Sequence, residues 1–112
     1  MYEYTAKVTN VVDGDTIDVD IDLGFDVHIN TRLRLAGVNC AELNTPEGVL
    51  ARRWTQYNLL GTTVTIKTDK DKKEKYGRYL AVVEVPSWSY NFNDALIKKG
   101  YAVAYDGKGK VK

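Results

Sequence analysis

With 112 residues, the chain is long enough for one domain with a modest hydrophobic core, so we expect a single domain over residues 1–112. Hydrophobic residues at 44% and charged residues at 28% are typical of folded globular proteins and exclude a disordered class. The net charge of +1 indicates no partner by itself. No apolar run approaches the length of about 18 residues that a membrane-spanning helix needs, so we expect no membrane partner.

Two further features bear on the cellular compartment. Cys40 is the single cysteine, which excludes an internal disulfide and favours a reducing environment. The first residues, "MYEYTAKV", have neither the basic nor the apolar region of a signal peptide. We therefore expect a cytoplasmic protein, with secretion as the alternative if a leader was removed from a longer precursor.

The N-terminal part of the chain predicts three strands, at about 3–12, 15–23 and 26–37. In "VVDGDTIDVDID", which spans residues 11–22, apolar and acidic residues alternate with the period of a strand. Asp15 has the parity of the isoleucines, so a regular strand would direct it at the core, where an unpaired carboxylate is costly. We expect a positively charged group or ion to meet it there.

A helix is predicted next, over the segment "TPEGVLARRWTQYNLLG". Its first residues suit a helix N-terminus: Thr45 as cap, Pro46 in the first position and Glu47 near the positive end of the dipole. Leu50, Trp54 and Tyr57 recur at helical spacing, which predicts that this stripe faces the core, and Gly61 ends the segment.

The remainder predicts strands at 62–68, 79–85 and 101–105. A second, shorter helix is predicted in "NDALIKKG", with Asn93 as its cap and Gly100 as its end. Three strands, a helix and two more strands are in the order of a five-stranded Greek-key barrel of the OB type. We therefore predict a mainly β protein with helices (α+β), with one helix between strands 3 and 4 and a short helix after strand 5.

Three alternative roles for the acidic, histidine and cysteine residues fail on spacing. A calcium loop of the EF-hand type starting at Asp18 would place Leu23 where glycine is required and Ile29 where glutamate is required. One cysteine and one histidine do not make a zinc site. His28 lies among the polar alternates of a strand and is predicted at the surface, so a Cys40–His28 nucleophile pair has no support.

Charge is unevenly distributed along the chain. Residues 13–26 contain six aspartates and no basic residue, whereas "KTDKDKKEKYGR", residues 67–78, is rich in lysine. The basic segment is either an ordinary solvated loop or a loop beside a site for a polyanion.

Several segments resemble a known family when they are taken together. "VVDGDTI", "RLRLAGVNCAE" and "KYGRYLAVV", in this order and spacing, resemble the staphylococcal nuclease (thermonuclease) family, and "NDALIKKGYAVAY" extends the match to nearly residues 6–105. The resemblance implies an OB-fold hydrolase, a calcium-dependent nuclease that cleaves phosphodiester bonds of DNA and/or RNA and leaves 3′-phosphates.

The resemblance also implies roles for individual residues. For the metal, Asp15 matches the family's metal-binding aspartate, Asp13 matches a supporting neighbour, and Asn39 and the Cys40 backbone carbonyl are the further ligands that it implies. For the phosphate, Arg34 and Arg78 match the two arginines that bind it, and Glu42 matches the general base for the attacking water. For the nucleotide, the matching residues are Lys75, Tyr76 and, more loosely, Tyr105.

These residue types suit the reaction on chemical grounds. Calcium prefers oxygen ligands, which Asp15 can supply. Arginines bind nonbridging phosphate oxygens through charge-assisted hydrogen bonds, often two at a time, and a carboxylate can orient or deprotonate water.

The sequence departs from the family at two places. Asn39-Cys40-Ala41-Glu42 stands where the family has Asp-Thr-Pro-Glu, which removes one negative charge and lowers the expected calcium affinity. Members of the family continue into a third helix where this sequence ends at "DGKGKVK", so we expect a longer parent chain, a homodimer that covers that barrel face, or low stability.

A different class of function therefore stays open. A nucleic-acid-binding OB module with a weakened metal site would use basic residues and the tyrosines at positions 76, 79, 101 and 105. Glu42 separates the two functions, because a binding module has little use for it.

Overall fold

The computed structural model describes residues 2–73 and 78–105, with only the backbone for residues 69–73. Seven strands lie in these ranges: β1 (Tyr2–Asp13), β2 (Thr16–Asp22), β3 (His28–Leu35), β4 (Val38–Cys40), β5 (Thr63–Lys73), β6 (Tyr79–Glu84) and β7 (Ala102–Ala104). The two helices are α1 (Pro46–Leu59) and α2 (Phe92–Lys98). Neither helix has the length and apolarity required to cross a bilayer.

Five strands close into a barrel in the order β1-β2-β3-β6-β5, with β5 returning to β1. The β3–β6 pair is parallel, and the other four pairs are antiparallel. Helix α1 connects β4 to β5, and α2 follows β6. The predicted barrel with its two helices is confirmed. Strands β4 and β7 form a separate two-stranded sheet.

Alternating apolar residues of the strands fill the barrel. On β2, Ile17, Val19 and Ile21 are all buried, and Val8 and Val11 of β1 pair with two of them across the ladder. Full burial of such a side chain contributes about 1.5–3 kcal/mol, so this alternation fixes which face of each strand points inward.

Two predicted strand boundaries were wrong because turns interrupt the extended runs. The second strand begins at Thr16, so Asp15 lies in the β1–β2 turn instead of in a strand. The predicted third strand, 26–37, is divided: Phe25 and Asp26 have positive φ in the turn before β3, and Gly37, with φ 77°, separates β3 from β4.

Helix α1 begins as predicted, because the Thr45 hydroxyl oxygen accepts a hydrogen bond from the Gly48 N–H at 3.1 Å. Its predicted core stripe was wrong, since Leu50 is 53% exposed and Tyr57 is 89% exposed. The buried face carries Gly48, Ala51 and Thr55, and Leu59 at the end of the helix. A helix that lies close to a barrel requires small side chains at the contact, and a search for large apolar residues misses that face.

Trp54, the third residue of that stripe, is partly buried and packs in an aromatic cluster at the side of the barrel. Its ring centroid lies 5.0 Å from that of Phe92 and 5.1 Å from that of Tyr101. These stacked contacts join α1 to α2 and to the residue before β7.

The predicted cap of α2 was also wrong. Asn91 is the cap, and its side-chain oxygen accepts from the Asp94 N–H at 2.8 Å. Asn93 is buried: its Oδ1 accepts from the Val83 N–H at 3.0 Å, and its Nδ2 donates to the carbonyls of Ala36 (2.8 Å) and Ala81 (3.0 Å). Asn93 therefore joins α2 to β6 and to the β3–β4 turn, a role that cap chemistry alone does not indicate. Gly100, with φ 81°, ends the segment as predicted.

Candidate active site

The β1–β2 turn places Asp15 inside the molecule. Asp15 is only 6% exposed, and its backbone carbonyl accepts a hydrogen bond from the Leu35 N–H at 2.8 Å. Gly14 makes this position possible, because a Cβ there would lie 2.8 Å from Cys40 Sγ and 2.9 Å from Ala51 Cβ. The turn is thus pressed between β4 and α1, and no side chain fits at position 14.

Both oxygens of the Asp15 carboxylate contact the protein. Oδ2 accepts from the Cys40 backbone N–H at 2.8 Å and lies 3.3 Å from Nη1 of Arg34. Oδ1 accepts from the Thr16 hydroxyl at 3.3 Å, and the Asp15 N–H donates to Oδ1 of Asp13 at 3.1 Å. The positively charged partner of Asp15 within the described residues is therefore Arg34.

Arg34 is itself buried and held on several sides. Nη1 donates to the Leu35 carbonyl at 3.1 Å, and Nη2 donates to Oδ1 of Asn39 at 3.2 Å. The Tyr105 ring centroid lies 6.0 Å from Cζ, at the limit of a cation–π contact. Tyr105 is kept there because its backbone N–H donates to the Gly37 carbonyl at 2.9 Å. The structure thus brings together Asp15, Arg34, Asn39 and Tyr105 from distant parts of the sequence.

Burial dominates the electrostatics of the acidic pair. It raises the pKa of Asp15 to about 7, assisted by the neighbouring Asp13 and opposed by Arg34. Burial also acts against ionisation of Asp13, but hydrogen bonds with Asp15 and Thr16 and the charge of Arg34 hold its pKa below the ordinary value. The pair therefore tends to hold one proton near neutral pH, and an additional positive charge would favour its release.

The second predicted arginine reaches the cluster from the residue before β6. Nη1 of Arg78 donates to the Thr16 hydroxyl at 3.5 Å, a long hydrogen bond. The Thr16 hydroxyl in turn donates to Asp15, which contacts Arg34. Thr16 and Asp15 therefore link Arg78 to Arg34. Sequence reasoning missed Thr16, although a hydroxyl residue directly after a buried aspartate was a signal that pointed to it.

Glu42 lies at the surface, two residues after β4, and its side chain makes no hydrogen bond or ion pair with another described residue. Its backbone carbonyl accepts from the Thr45 N–H at 3.0 Å and from the Thr45 hydroxyl at 2.6 Å. A Cβ at Gly48 would lie 1.9 Å from that carbonyl oxygen. The first turn of α1 thus fixes the backbone of Glu42, and Gly48 is a second residue that sequence reasoning missed. Lys75 and Tyr76, predicted beside the nucleotide, lie outside the described residues.

The predicted metal ligands offer oxygen donors only. These are the Asp15 carboxylate, the Asn39 side-chain oxygen and the Cys40 backbone carbonyl, a type of donor set that a hard cation prefers. Within residues 2–68 and 78–105, whose side chains are described, no three side chains of Asp, Glu, His or Cys are grouped in a way that could hold an ion. The donor types and the under-compensated charge of the Asp13–Asp15 pair fit a weak site for a divalent cation.

The chain is thus a closed OB-type barrel that carries a buried aspartate beside two arginines. The chain belongs to the family described as staphylococcal nuclease homologues, whose family model matches residues 32–112. This agrees with the resemblance seen in the sequence motifs.

Relatives support the same assignment. The chain is 39% identical to the thermonuclease of Staphylococcus hyicus over 91% of this chain and 60% of the relative. It is 32% identical to an uncharacterized protein of Methanocaldococcus jannaschii (97% of this chain, 63% of the relative). It is 30% identical to the micrococcal nuclease of Shigella flexneri (96% of this chain, 62% of the relative). The chain thus spans about three fifths of the length of these relatives.

Proposed function

We propose that this chain is a calcium-dependent nuclease that hydrolyses phosphodiester bonds of DNA and/or RNA and leaves 3′-phosphates. The observation that carries the proposal is the convergence of Arg34 and Arg78 on the buried Asp15–Thr16 unit. Two guanidinium groups held around one enclosed carboxylate favour an anionic ligand. The family relationship supports a nucleic acid as that ligand.

The arginines would bind the nonbridging phosphate oxygens. A guanidinium group has five N–H donors, and the contacts of Arg34 with Asp15, Leu35 and Asn39 do not use all of them. Because Arg34 is already fixed by these contacts, it loses little conformational freedom when it binds phosphate. Donors that are fixed in advance stabilise charge that develops in the transition state.

The Asp15 carboxylate, through the Oδ1 that accepts from the neutral Thr16 hydroxyl, and the Cys40 carbonyl would hold the calcium ion. Asn39, the third predicted ligand, has its side-chain oxygen engaged by Arg34 and is therefore less available to the ion. When bound, the ion would supply positive charge to the phosphate and lower the pKa of a coordinated water.

Glu42 would take the proton from the attacking water. Its carboxylate is exposed and without a partner among the described residues, so it is available as a base, and Thr45 fixes its backbone. General base catalysis by one carboxylate contributes about 10²–10⁴-fold to turnover.

Digestion of plasmid and single-stranded DNA, with calcium or with excess chelator, tests the activity, and end-group analysis of the products tests the 3′-phosphates. We expect cleavage only with calcium at about 10⁻⁴–10⁻³ M, because the ligand set carries little charge. Full cleavage in excess chelator would contradict the calcium dependence.

Glu42→Gln tests the mechanism, because glutamine keeps the size of the side chain but cannot accept a proton at neutral pH. We expect turnover to fall by about 10²–10⁴-fold while binding of single-stranded DNA in chelator holds or rises slightly. Glu47→Gln is the matched control, since Glu47 is an exposed carboxylate on the neighbouring first turn of α1. Equal turnover of the parent and Glu42→Gln would remove Glu42 from the mechanism.

A nucleic-acid-binding module is the second candidate, and one observation favours it. The described residues hold no group of three acidic, histidine or cysteine side chains for a metal. A parent protein that binds single-stranded DNA but cleaves none at any calcium concentration would establish this function instead of the nuclease.

A further inference from the structure

The orientation of the Asn39 side-chain amide follows from its contact with Arg34. Asn39 is the central residue of β4, where it pairs with Val103 of β7. Nη2 of Arg34 lies 3.2 Å from the amide. Arginine has donors and no acceptor, so only the oxygen of the amide can face it. The NH₂ group of Asn39 must therefore point away from Arg34.

This NH₂ group is accessible. No other described residue accepts a hydrogen bond from Nδ2, and no buried side-chain nitrogen or oxygen among the described residues lacks a partner. Nδ2 is therefore not among the buried atoms, and Asn39 as a whole is half-buried. Nδ2 is thus at least partly accessible to solvent, on the residue that contacts the guanidinium group of Arg34.

The same contact disfavours Asn39 as a metal ligand. The oxygen that would coordinate calcium already accepts from a guanidinium cation, and a second cation on the same oxygen would lie close to the first. The amide nitrogen cannot ligate a hard cation, which takes oxygen. Residue 39 is thus arranged to serve an anion better than a cation.

We propose that Asn39 is a phosphate-binding and Arg34-positioning residue: its oxygen orients the guanidinium group, and its NH₂ group donates to a nonbridging oxygen of the same phosphate. This inference rests on the proposed nucleic-acid substrate and deepens it. An aspartate at this position would still hold Arg34, but it would offer no donor and would place a negative charge beside the phosphate. The asparagine therefore gives the chain a way to bind phosphate that does not depend on the metal.

The test measures binding of a fluorescently labelled single-stranded oligonucleotide by anisotropy in excess chelator, and calcium binding by calorimetry without DNA. We expect Asn39→Asp and Asn39→Ala each to weaken oligonucleotide binding by about tenfold or more, because a hydrogen bond to a charged group is lost. The matched control is Asn30→Asp, which makes the same charge change at an exposed position on β3. It should leave binding within about twofold of the parent.

A double-mutant cycle with Arg34→Ala separates this role from a merely structural one. If Asn39 acts through Arg34 and on the same phosphate, the loss caused by Asn39→Ala in the Arg34→Ala background should be smaller than in the parent. Thermal unfolding of each variant establishes that both Asn39 variants are folded before their binding is compared with that of the parent.

The outcomes distinguish this inference from the proposed function. Parent-like oligonucleotide binding by both Asn39 variants, together with tighter calcium binding by Asn39→Asp, would overturn the inference and identify residue 39 as a metal ligand, even if the parent is an active nuclease. Weakened binding by both variants supports the inference, even if the parent cleaves nothing and the nuclease proposal fails.

Discussion

The aspartates of residues 13–26 belong to two regions that differ in nearly every physical respect. Asp15 lies in a turn pressed between β4 and α1, and burial raises its pKa to about 7. Asp18, on β2, is partly exposed, and hydrogen bonds from Arg32 hold its pKa below the ordinary value. The comparison shows that enclosure decides the chemistry of these carboxylates, since the residue type and the local sequence are nearly the same.

The two arginines opposite these β2 residues also differ in burial. Arg32 and Arg34 are two residues apart on β3 and pair across the ladder with Asp18 and Thr16 of β2. Arg32 is exposed and forms two hydrogen bonds with Asp18, at 2.8 and 3.2 Å. Arg34 is buried among backbone and side-chain acceptors. The first pair is an ordinary surface ion pair, and the second belongs to the proposed site.

The largest expected difference between the regions concerns turnover. Arg34→Ala removes a fixed donor for developing phosphate charge and should lower turnover by about 10²–10³-fold. Arg32→Ala, two residues away on the same strand, should leave turnover within about twofold of the parent. Steady-state cleavage of a labelled oligonucleotide measures both, and equal losses in the two variants would mean that the contrast between the regions has no catalytic meaning.

The second-largest expected difference between the two regions is in how their aspartates affect the pH dependence of stability. The pKa of the Asp15 carboxyl is about 7 in the folded chain and about 3.9 unfolded, so the folded chain keeps a proton that the unfolded chain releases between these values. This group therefore makes the free energy of unfolding fall as pH rises from about 4 to 7. Asp15→Asn has no carboxyl group at this position and escapes that loss. The free energy of unfolding of the variant minus that of the parent should therefore increase by about 2–4 kcal/mol from pH 4 to pH 8.

Urea unfolding in chelator across this pH range measures the effect. Asp18→Asn is the control, because its lowered pKa confines any stability effect to pH below about 4 and leaves the variant parallel to the parent above pH 5. Asp13, with its lowered pKa, likewise acts only at the acidic end. If the free energy of unfolding of Asp15→Asn changed with pH in parallel with that of the parent, burial would not have raised the pKa of Asp15.

A smaller effect is expected at Thr16, which carries the contact between Arg78 and Asp15. Thr16→Val keeps the shape but removes the hydroxyl, and should lower turnover by about tenfold because Arg78 loses an acceptor that orients it. Thr16→Ser keeps the hydroxyl and should restore most of that loss. Parent-like turnover in Thr16→Val would show that the hydroxyl does not orient Arg78.

The smallest effect concerns the turn of the exposed region. Phe25 is fully exposed and has a φ of 55°, a left-handed conformation that is unfavourable for a bulky residue. Phe25→Asn should raise the free energy of unfolding by about 1 kcal/mol, because asparagine tolerates this conformation and no buried contact is lost. Leu23→Asn, at an exposed residue outside the positive-φ pair, should give no gain. Thermal unfolding measures both, and a loss of stability in Phe25→Asn would mean that the Phe25 ring makes a stabilising contact.

The barrel was predictable from the sequence because alternation, turn residues and helix caps are local signals. Thr45, Gly61 and Gly100 act as predicted for that reason. The interior face of α1 was not predictable from the same signals, since the closeness of helix and barrel selects Gly48 and Ala51 by size at the contact. Asn93 failed as a cap for a similar reason, because its partners lie on elements that are distant in sequence.

The candidate site divides in the same way. Asp15 was recognisable because its parity conflicted with its charge, and the structure confirms that it is buried, beside Arg34. The metal cation expected to meet it stays a prediction. The contacts of Thr16 with Arg78 and of Asn39 with Arg34 depend on how β2, β3, β4 and the start of β6 meet, which no local pattern encodes. The positions of residues can thus be predicted from motifs, whereas the hydrogen bonds that orient them require the fold.

The enclosure of Cys40 gives the molecule a natural chemical reporter. Burial raises the pKa of its thiol to about 12, so the thiolate, which is the form that reacts with alkylating reagents, is nearly absent at neutral pH in the folded chain. The sulfur lies against the β1–β2 turn at Gly14, and the backbone N–H of the same residue holds Asp15. Alkylation therefore requires β4 to separate from that turn. The rate at which iodoacetamide labels this single thiol is therefore a measure of how often β4 separates from the β1–β2 turn.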